Sequence, residues 1–206
     1  MTSAEAVETA IADAASAREF AGLIAAYGER GRHYHNAGHI AQLLGLCTRH
    51  EAALTEPDAI RFAIWFHDVV YRARRQDNEA ASAAYAGHAL ARMGVTQALS
   101  RDVQALILAT ARHRIDELPS HLSPDGGWFL DFDLAILGSH ADVYDAYARA
   151  IRKEYAWVPA PVYRQKRRLV LQTFLERPQL YFTAPMRRTL ESRARANLAR
   201  EIASLT

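Results

Sequence analysis

The stretch Trp65-Phe66-His67-Asp68-Val69-Val70-Tyr71 places two polar side chains inside an apolar segment that begins at Phe62. His67 and Asp68 are both residue types that can ligate a metal ion. Burying an unpaired carboxylate is very costly, so Asp68 needs a cation or strong hydrogen-bond donors if this segment is buried. The alternative is a solvent-facing His-Asp pair near the end of a helix. The rest of the chain has to decide between the two.

The composition is that of a soluble globular protein. The chain has 206 residues, of which 50% are hydrophobic and 23% are charged. These values predict one compact domain over residues 1–206, with the motifs in a core at about residues 30–180 and a C-terminal helix packed on it. The formal net charge of +2 gives no indication of nucleic-acid or membrane binding.

Cysteine usage and hydropathy exclude several classes of protein. The single cysteine, Cys47, excludes an internal disulfide and a thiolate-rich zinc site. It lies in an apolar run, which predicts a small core residue. The chain has neither an apolar stretch of about 18 residues nor a basic-then-apolar leader, so we expect a cytoplasmic location.

Periodicity predicts an all-α fold. Alanine and leucine dominate the chain, and the alternation of β-branched residues that is typical of strands is rare. The apolar spacing predicts helices over residues 4–27 (one or two), 37–50, from 57 onward, 78–93, around 103–110, 130–137, 139–155, 162–176 and 185–203.

Capping residues and helix breakers predict the boundaries. Asn36 precedes the helix of residues 37–50 as a cap, and Ser100 is expected to cap the helix around residue 103. Ser139 with Asp142 resembles a capping pair. Residues 114–129 contain two prolines and two glycines and are predicted to form a loop.

Five polar side chains lie within helical, apolar surroundings and are candidates for chemistry: His35, His39, His67, Asp68 and Asp133. Histidine nitrogens with carboxylate oxygens suit a divalent ion such as Mn²⁺, Fe²⁺, Co²⁺ or Zn²⁺, and suit Mg²⁺ less well. Ligands from three separate helices would hold those helices together. A lone buried histidine is more often a hydrogen-bonded core residue, so the order and spacing of the set carry the argument.

The order of the set resembles that of the HD superfamily of metal-dependent phosphohydrolases. In that pattern one histidine is followed about thirty residues later by an adjacent His-Asp pair, and by a distant aspartate on a later helix. The resemblance implies a single-domain helical bundle with a central metal site. It implies a divalent ion, such as Mn, Fe, Co, Ni, Zn or Mg, held by His39, His67, Asp68 and Asp133.

Two local motifs sharpen the resemblance. The segment of residues 34–40 and the pair Asp133-Leu134 are similar to segments of the cyclic-nucleotide phosphodiesterases, which implies that His35 donates a proton while His39 binds metal. Over roughly residues 30–200 the chain also resembles a bacterial group of small HD-domain hydrolases. The shared motifs are His-Asn-x-x-His, Phe-His-Asp-x-Val-Tyr, Asn-Glu-x-x-Ser at 78–82 and Asp-x-Asp-Leu-x-Ile-Leu-Gly at 131–138.

Three further residues have two interpretations each. Glu79 is a candidate catalytic residue near the water on the metal, or an exposed acid in the first turn of a helix. His113 is a candidate ligand of a second metal or of phosphate, or a residue that ends a helix. Asp131 is a candidate helix cap, or a residue that holds a partner of the metal ligands, since the resemblance of the Asp-Leu pair selects Asp133 as the ligand.

Arginines near the motifs are candidates for binding an anionic substrate. Arg72 follows the His-Asp pair, Arg112 precedes His113, and Arg32 precedes the first histidines. Guanidinium groups bind phosphate through paired hydrogen bonds. The alternative for each is a solvated loop.

These features predict a metal-dependent phosphohydrolase that cleaves a phosphomonoester or phosphodiester, for example of a nucleotide, with a metal-activated hydroxide. The alternative is a non-catalytic HD-fold module that senses a nucleotide or a metal; a plain helical scaffold is a third hypothesis. The expected partner is a small phosphorylated substrate. A homodimer is left open, and binding to a membrane or to nucleic acid is not expected.

Overall fold

The computed structural model describes residues 14–205, and side chains from residue 16 onward. Within these residues the regular elements are helices and no strand is present, which confirms the all-α class. The part of the predicted first helix before residue 14 lies outside the described residues. The α-helices are α1 (Ala14–Tyr27), α2 (Ala37–Arg49), α3 (Pro57–Phe66), α4 (Asn78–Arg92), α5 (Gln97–Ala109), α6 (Ser123–Leu134), α7 (Ala141–Glu154), α8 (Ala160–Leu175) and α9 (Ala184–Ser204).

The chain divides into two compact units, with the boundary between Leu130 and Asp131 inside α6. The expectation of a single domain stays a prediction. Between residues 14 and 205, none of the helices combines the length and the apolar character that crossing a bilayer requires.

Helix α3 lies at the centre of the first unit. It contacts α2, α4 and α5, while α4 also contacts α1 and α5. Most sides of α3 carry buried residues, and the remaining face, with Pro57, Arg61 and Trp65, is half-buried, as expected for a helix largely enclosed by its neighbours. Because α3 ends at Phe66, His67 follows directly after its last turn and is buried, and Asp68 beside it is half-buried.

The second unit is built around α9, which contacts α8 and the short 3₁₀ helix Ala135–Gly138; α7 also contacts this 3₁₀ helix. Gly138 allows a close approach, since a Cβ atom there would lie 2.5 Å from Cβ and 2.9 Å from the carbonyl oxygen of Leu190. Asn197 of α9 donates to the carbonyl oxygens of Leu137 and Ser139 at 2.9 and 3.0 Å. The contact is therefore both steric and polar.

Both predicted serine caps, Ser100 and Ser139, are wrong. Helix α5 begins earlier than expected, and its cap is Thr96, whose hydroxyl accepts from the Leu99 N–H at 3.3 Å. Ser100 is buried inside this helix. The Ser139 hydroxyl donates to the Ile136 carbonyl at 2.8 Å, so α7 begins without a side-chain cap. Serine hydroxyls readily bond to a nearby backbone carbonyl instead of capping.

The predicted loop over residues 114–129 is also wrong in part. It contains a 3₁₀ turn, Ile115–Glu117, and the start of α6 at Ser123. Proline is tolerated in the first turn of a helix, so Pro124 does not prevent α6 from forming. Gly126 serves packing, since a Cβ there would collide with the Leu118 side chain. Tertiary contacts therefore outweigh the local tendency of these prolines and glycines to interrupt a helix.

Candidate metal centre

Asn36 determines where helix α2 begins and therefore where His39 lies. Its side-chain oxygen accepts from the N–H groups of Gly38 and His39 at 2.9 and 3.4 Å, which confirms the predicted cap. His39 is then in the first turn of α2 and is buried. His35 precedes the cap and lies outside the helix.

His67 follows the last residue of α3 and is held by its own helix. Its Nδ1 is 2.9 Å from the Ile64 carbonyl oxygen. A carbonyl can only accept, so Nδ1 carries a proton, and in the neutral form of the ring the lone pair is on Nε2. An imidazole fixed in this way by a backbone carbonyl is the usual state of a metal-ligating histidine.

Three ligand-capable atoms converge at this point of the first unit. Nε2 of His39 lies 3.2 Å from Nε2 of His67. Oδ2 of Asp68 lies 3.1 Å from Nε2 of His67 and 3.8 Å from Nε2 of His39. The two histidine side chains are 1% and 2% exposed, and that of Asp68 is 14% exposed. We call these three residues the His-His-Asp cluster.

The distances within the cluster suit a shared ion. Two ligand atoms each about 2.1 Å from one ion are about 3.0–3.4 Å apart at bond angles of about 90–109°, and further apart at wider angles. All three measured separations are compatible with such an arrangement. The donor set, two imidazole nitrogens and one carboxylate oxygen, is suited to first-row divalent ions.

The electrostatics keep Asp68 ionised. Burial by itself raises the pKa of Asp68, but the protonated forms of the neighbouring His67, His35 and His39 rings lower it by a larger amount, so its pKa lies well below the ordinary value. Asp68 is therefore a carboxylate at neutral pH, as a ligand must be.

His35 lies beside the cluster, on an aromatic support. Its ring stacks on that of Tyr71 with centroids 4.2 Å apart, and meets Tyr34 edge-on at 5.1 Å. The centroid of His39 is 6.1 Å away. His35 is half-buried, so its ring is near the cluster and still reaches the surface.

The remaining predicted site residues are placed as follows. Asp133 lies in the last turn of α6, in the second unit, and is half-buried. Like His39 and His67, it offers an atom that could ligate a metal ion, and its role as a ligand of this centre stays a prediction. Glu79 is a half-buried residue in the first turn of α4, and its catalytic role also stays a prediction.

Among the phosphate-binding candidates, Arg72 is 64% exposed and pairs with Glu29 at 2.5 Å, while Arg112 is exposed and lies 3.4 Å from Glu117. His113 lies in the turn after α5 with a positive φ of 48°. Binding of a second metal or of phosphate by these residues stays a prediction.

Asp131 has a structural role within the second unit. Its carboxylate accepts from the N–H groups of Phe182 and Thr183 at 2.7 and 2.8 Å, and from the Thr183 hydroxyl at 2.7 Å. These groups immediately precede α9, so Asp131 anchors the start of that helix. Its partners are far away in sequence, which is why the sequence alone left its role open.

The Asn-Glu-x-x-Ser motif has a role that the sequence did not reveal. The Asn78 side chain accepts from the Arg72 N–H at 3.0 Å and donates to the Arg72 carbonyl at 3.1 Å. Ser82 likewise accepts from the Val70 N–H at 3.1 Å and donates to its carbonyl at 3.3 Å. Asn78 and Ser82 are four residues apart on α4 and therefore share a face of this helix. The motif thus attaches the segment after Asp68 to α4.

Comparisons of this chain with protein-family models, with curated proteins and with solved structures give no match.

Proposed function

We propose that this chain is a metal-dependent phosphohydrolase that acts on a phosphomonoester or phosphodiester, with a nucleotide as the candidate substrate. The observation that carries the proposal is the His-His-Asp cluster, in which two buried imidazole nitrogens and an ionised carboxylate converge within 3.1–3.8 Å. The resemblance of its motif order to the HD superfamily supports the same reaction class.

A bound divalent ion would supply Lewis-acid polarisation of a phosphoryl oxygen and a lowered pKa for a bound water. In this proposal His39, His67 and Asp68 hold the ion, and Asp133 is an additional ligand. His35 gives a proton to the leaving oxygen, from a ring oriented by Tyr71. Arg72 is exposed and lies four residues after Asp68 in the sequence, and in this proposal its positive charge attracts a phosphate.

The test begins with metal content. The protein is purified without chelator and its metals are quantified, and the same is done for Asp68→Ala. It is then screened against phosphorylated metabolites with added Mn²⁺. We expect about one equivalent of ion or more in the unmodified chain, and hydrolysis that a chelator abolishes and Mn²⁺ restores.

Two outcomes favour other functions. Bound metal without hydrolysis of any substrate, together with a nucleotide-induced rise in melting temperature, would indicate a sensing module. Absence of metal, with a melting curve unchanged by added Mn²⁺, would indicate a helical scaffold and would contradict the proposal.

A further inference from the structure

Arg32 lies in the loop between α1 and α2 and is only 8% exposed. Its Nη1 donates to the carbonyl oxygen of Asp68 at 2.6 Å and, more weakly, to that of His35 at 3.3 Å. Its Nη2 donates to the Val69 carbonyl at 2.7 Å. The sequence suggested a substrate-facing or solvated arginine, and the structure shows neither.

Two of the three carbonyl groups that Arg32 binds, those of Asp68 and Val69, lie just beyond the C-terminal end of helix α3. Carbonyls beyond the end of a helix have no intrahelical donor and must be satisfied in another way when buried. The Tyr27 hydroxyl fulfils this need for Trp65, at 2.8 Å. Arg32 does so for Asp68 and Val69, and its guanidinium lies 5.2 Å from the Tyr27 ring centroid and 5.6 Å from that of Tyr71.

We propose that Arg32 is a positioning residue that sets the placement of Asp68 relative to His35. One guanidinium binds the backbone of both residues, although they belong to different segments of the chain. The inference rests on the proposed function, in which Asp68 holds the ion and His35 supplies the proton. In this proposal Arg32 itself contacts neither metal nor substrate.

The Ser82 contact provides a comparison within the same segment. Ser82 fixes Val70 from the side of α4 but bonds to neither Asp68 nor His35. Loss of Ser82 therefore loosens the segment without removing the link between ligand and proton donor. A role confined to loop stability would make variants of Arg32 and Ser82 behave alike, whereas a positioning role separates them.

The informative variant is Arg32→Lys. Lysine keeps the positive charge but concentrates its donors at one point, so it cannot span three carbonyls as the planar guanidinium does. Arg61→Lys is the matched control, because Arg61 bonds to Glu51 and Asp58 at 2.7 and 2.9 Å and has no contact with the cluster residues. Ser82→Ala is the second comparison.

Metal affinity is measured by calorimetric titration with Co²⁺. We expect Arg32→Lys to bind the ion about 10–100-fold more weakly, the effect typical of residues that orient metal ligands. Arg61→Lys should bind it as the unmodified chain does. Equal affinity in Arg32→Lys and the unmodified chain overturns the proposal.

Leaving-group dependence provides the second readout. If Arg32 positions His35, Arg32→Lys loses more activity on an alkyl phosphate ester than on a p-nitrophenyl ester, at equal metal occupancy. Ser82→Ala should lower both rates by the same factor. Identical rate ratios in Arg32→Lys and Ser82→Ala contradict the positioning role.

Two remaining outcomes are also decisive. If the unmodified chain binds no ion, the proposed function fails and the positioning role, which rests on it, fails with it; unweakened ion binding by Arg32→Lys overturns the positioning role alone. If Arg32→Lys does not fold, Arg32→Gln takes its place. If neither variant folds, Arg32 is a residue of the fold and the proposal is wrong.

Discussion

Asp68 in the first unit and Asp131 in the second are both surrounded by strong partners, but their pKa values shift in opposite directions. Imidazole rings of His67, His35 and His39 surround Asp68, and its pKa is lowered despite burial. Asp131 is fully buried, and burial raises its pKa to about 6 although two N–H groups and a hydroxyl bond to it.

The difference shows what each carboxylate is suited to do. The groups that bond to Asp131 are neutral donors, and the nearby Arg187 charge only partly offsets desolvation, so Asp131 serves as an anchor for α9. Asp68 lies where basic nitrogens converge, and such groups exchange protons for a metal ion. The kind of partner, more than the number of hydrogen bonds, separates the candidate site from the scaffold.

Replacing Asp68 and Asp131 one at a time should distinguish a metal ligand from a structural anchor most clearly. Asp68→Ala should lose the ion, lower activity to background, and lose the stabilisation that metal binding adds. Asp131→Ala should retain the ion but lower the free energy of unfolding by about 2–4 kcal/mol, because buried donors at residues 182 and 183 lose their acceptor. Metal analysis and urea unfolding measure both effects. Full metal occupancy in Asp68→Ala would show that its assignment as a ligand is wrong.

A variant of His35 tests whether the three imidazole rings around Asp68 have different roles. His35→Ala should keep the metal and lose about 10²–10⁴-fold in rate on an alkyl phosphate ester, since an alkoxide leaves poorly without a proton. It should lose much less on a p-nitrophenyl ester, because nitrophenolate leaves readily. Rates are compared at equal metal occupancy. An equal loss on both substrates, or loss of the ion, would contradict the role of proton donor.

The raised pKa of Asp131 predicts a pH dependence of stability. Its pKa is about 6 in the folded chain, against an ordinary value of 3.8, so the folded chain holds this proton more tightly than the unfolded chain does. The resulting stabilisation is complete below about pH 3.8 and is lost as pH rises to about 6, with an upper bound of about 3 kcal/mol.

Metal-free protein and its Asp131→Asn variant are compared by urea unfolding across this range. Asparagine has no such titration, so the stability difference between the two proteins should change between about pH 4 and pH 6. A difference that is constant across this range would show that Asp131 ionises normally.

Cys47 gives the smallest expected effect and is a further case in which burial outweighs a nearby cation, here Arg61. It is 1% exposed, as the sequence predicted for a core residue, and burial raises its pKa to about 11. A rise of two units from 9.0 lowers the thiolate fraction at pH 8 by about 100-fold. Labelling by a thiol reagent should therefore be slow in the native chain and fast in urea. Rapid native labelling would indicate that this part of the core opens readily.

Predictions succeeded where the deciding interaction is local. Asn36 caps α2 through N–H groups two and three residues away, so the start of that helix and the position of His39 could be predicted. They failed where distant contacts decide, as in α6, where Gly126 accommodates Leu118 and the Asp125 carboxylate accepts from the Thr55 and Glu56 N–H groups. Arg32 was misjudged for the same reason, since the carbonyls of Asp68 and Val69 are 36 and 37 residues away.

The sequence by itself determined the helical class, the adjacency of His67 to Asp68 and the spacing of His35 and His39 around a cap, because periodicity and capping act within a few residues. Only the tertiary structure decided which groups face each buried carboxylate. His39 and His67 are 28 residues apart, and Asp131 and Thr183 are 52 apart. Desolvation and charge depend on neighbours in space, so the opposite pKa shifts of Asp68 and Asp131 arise only once the chain is folded.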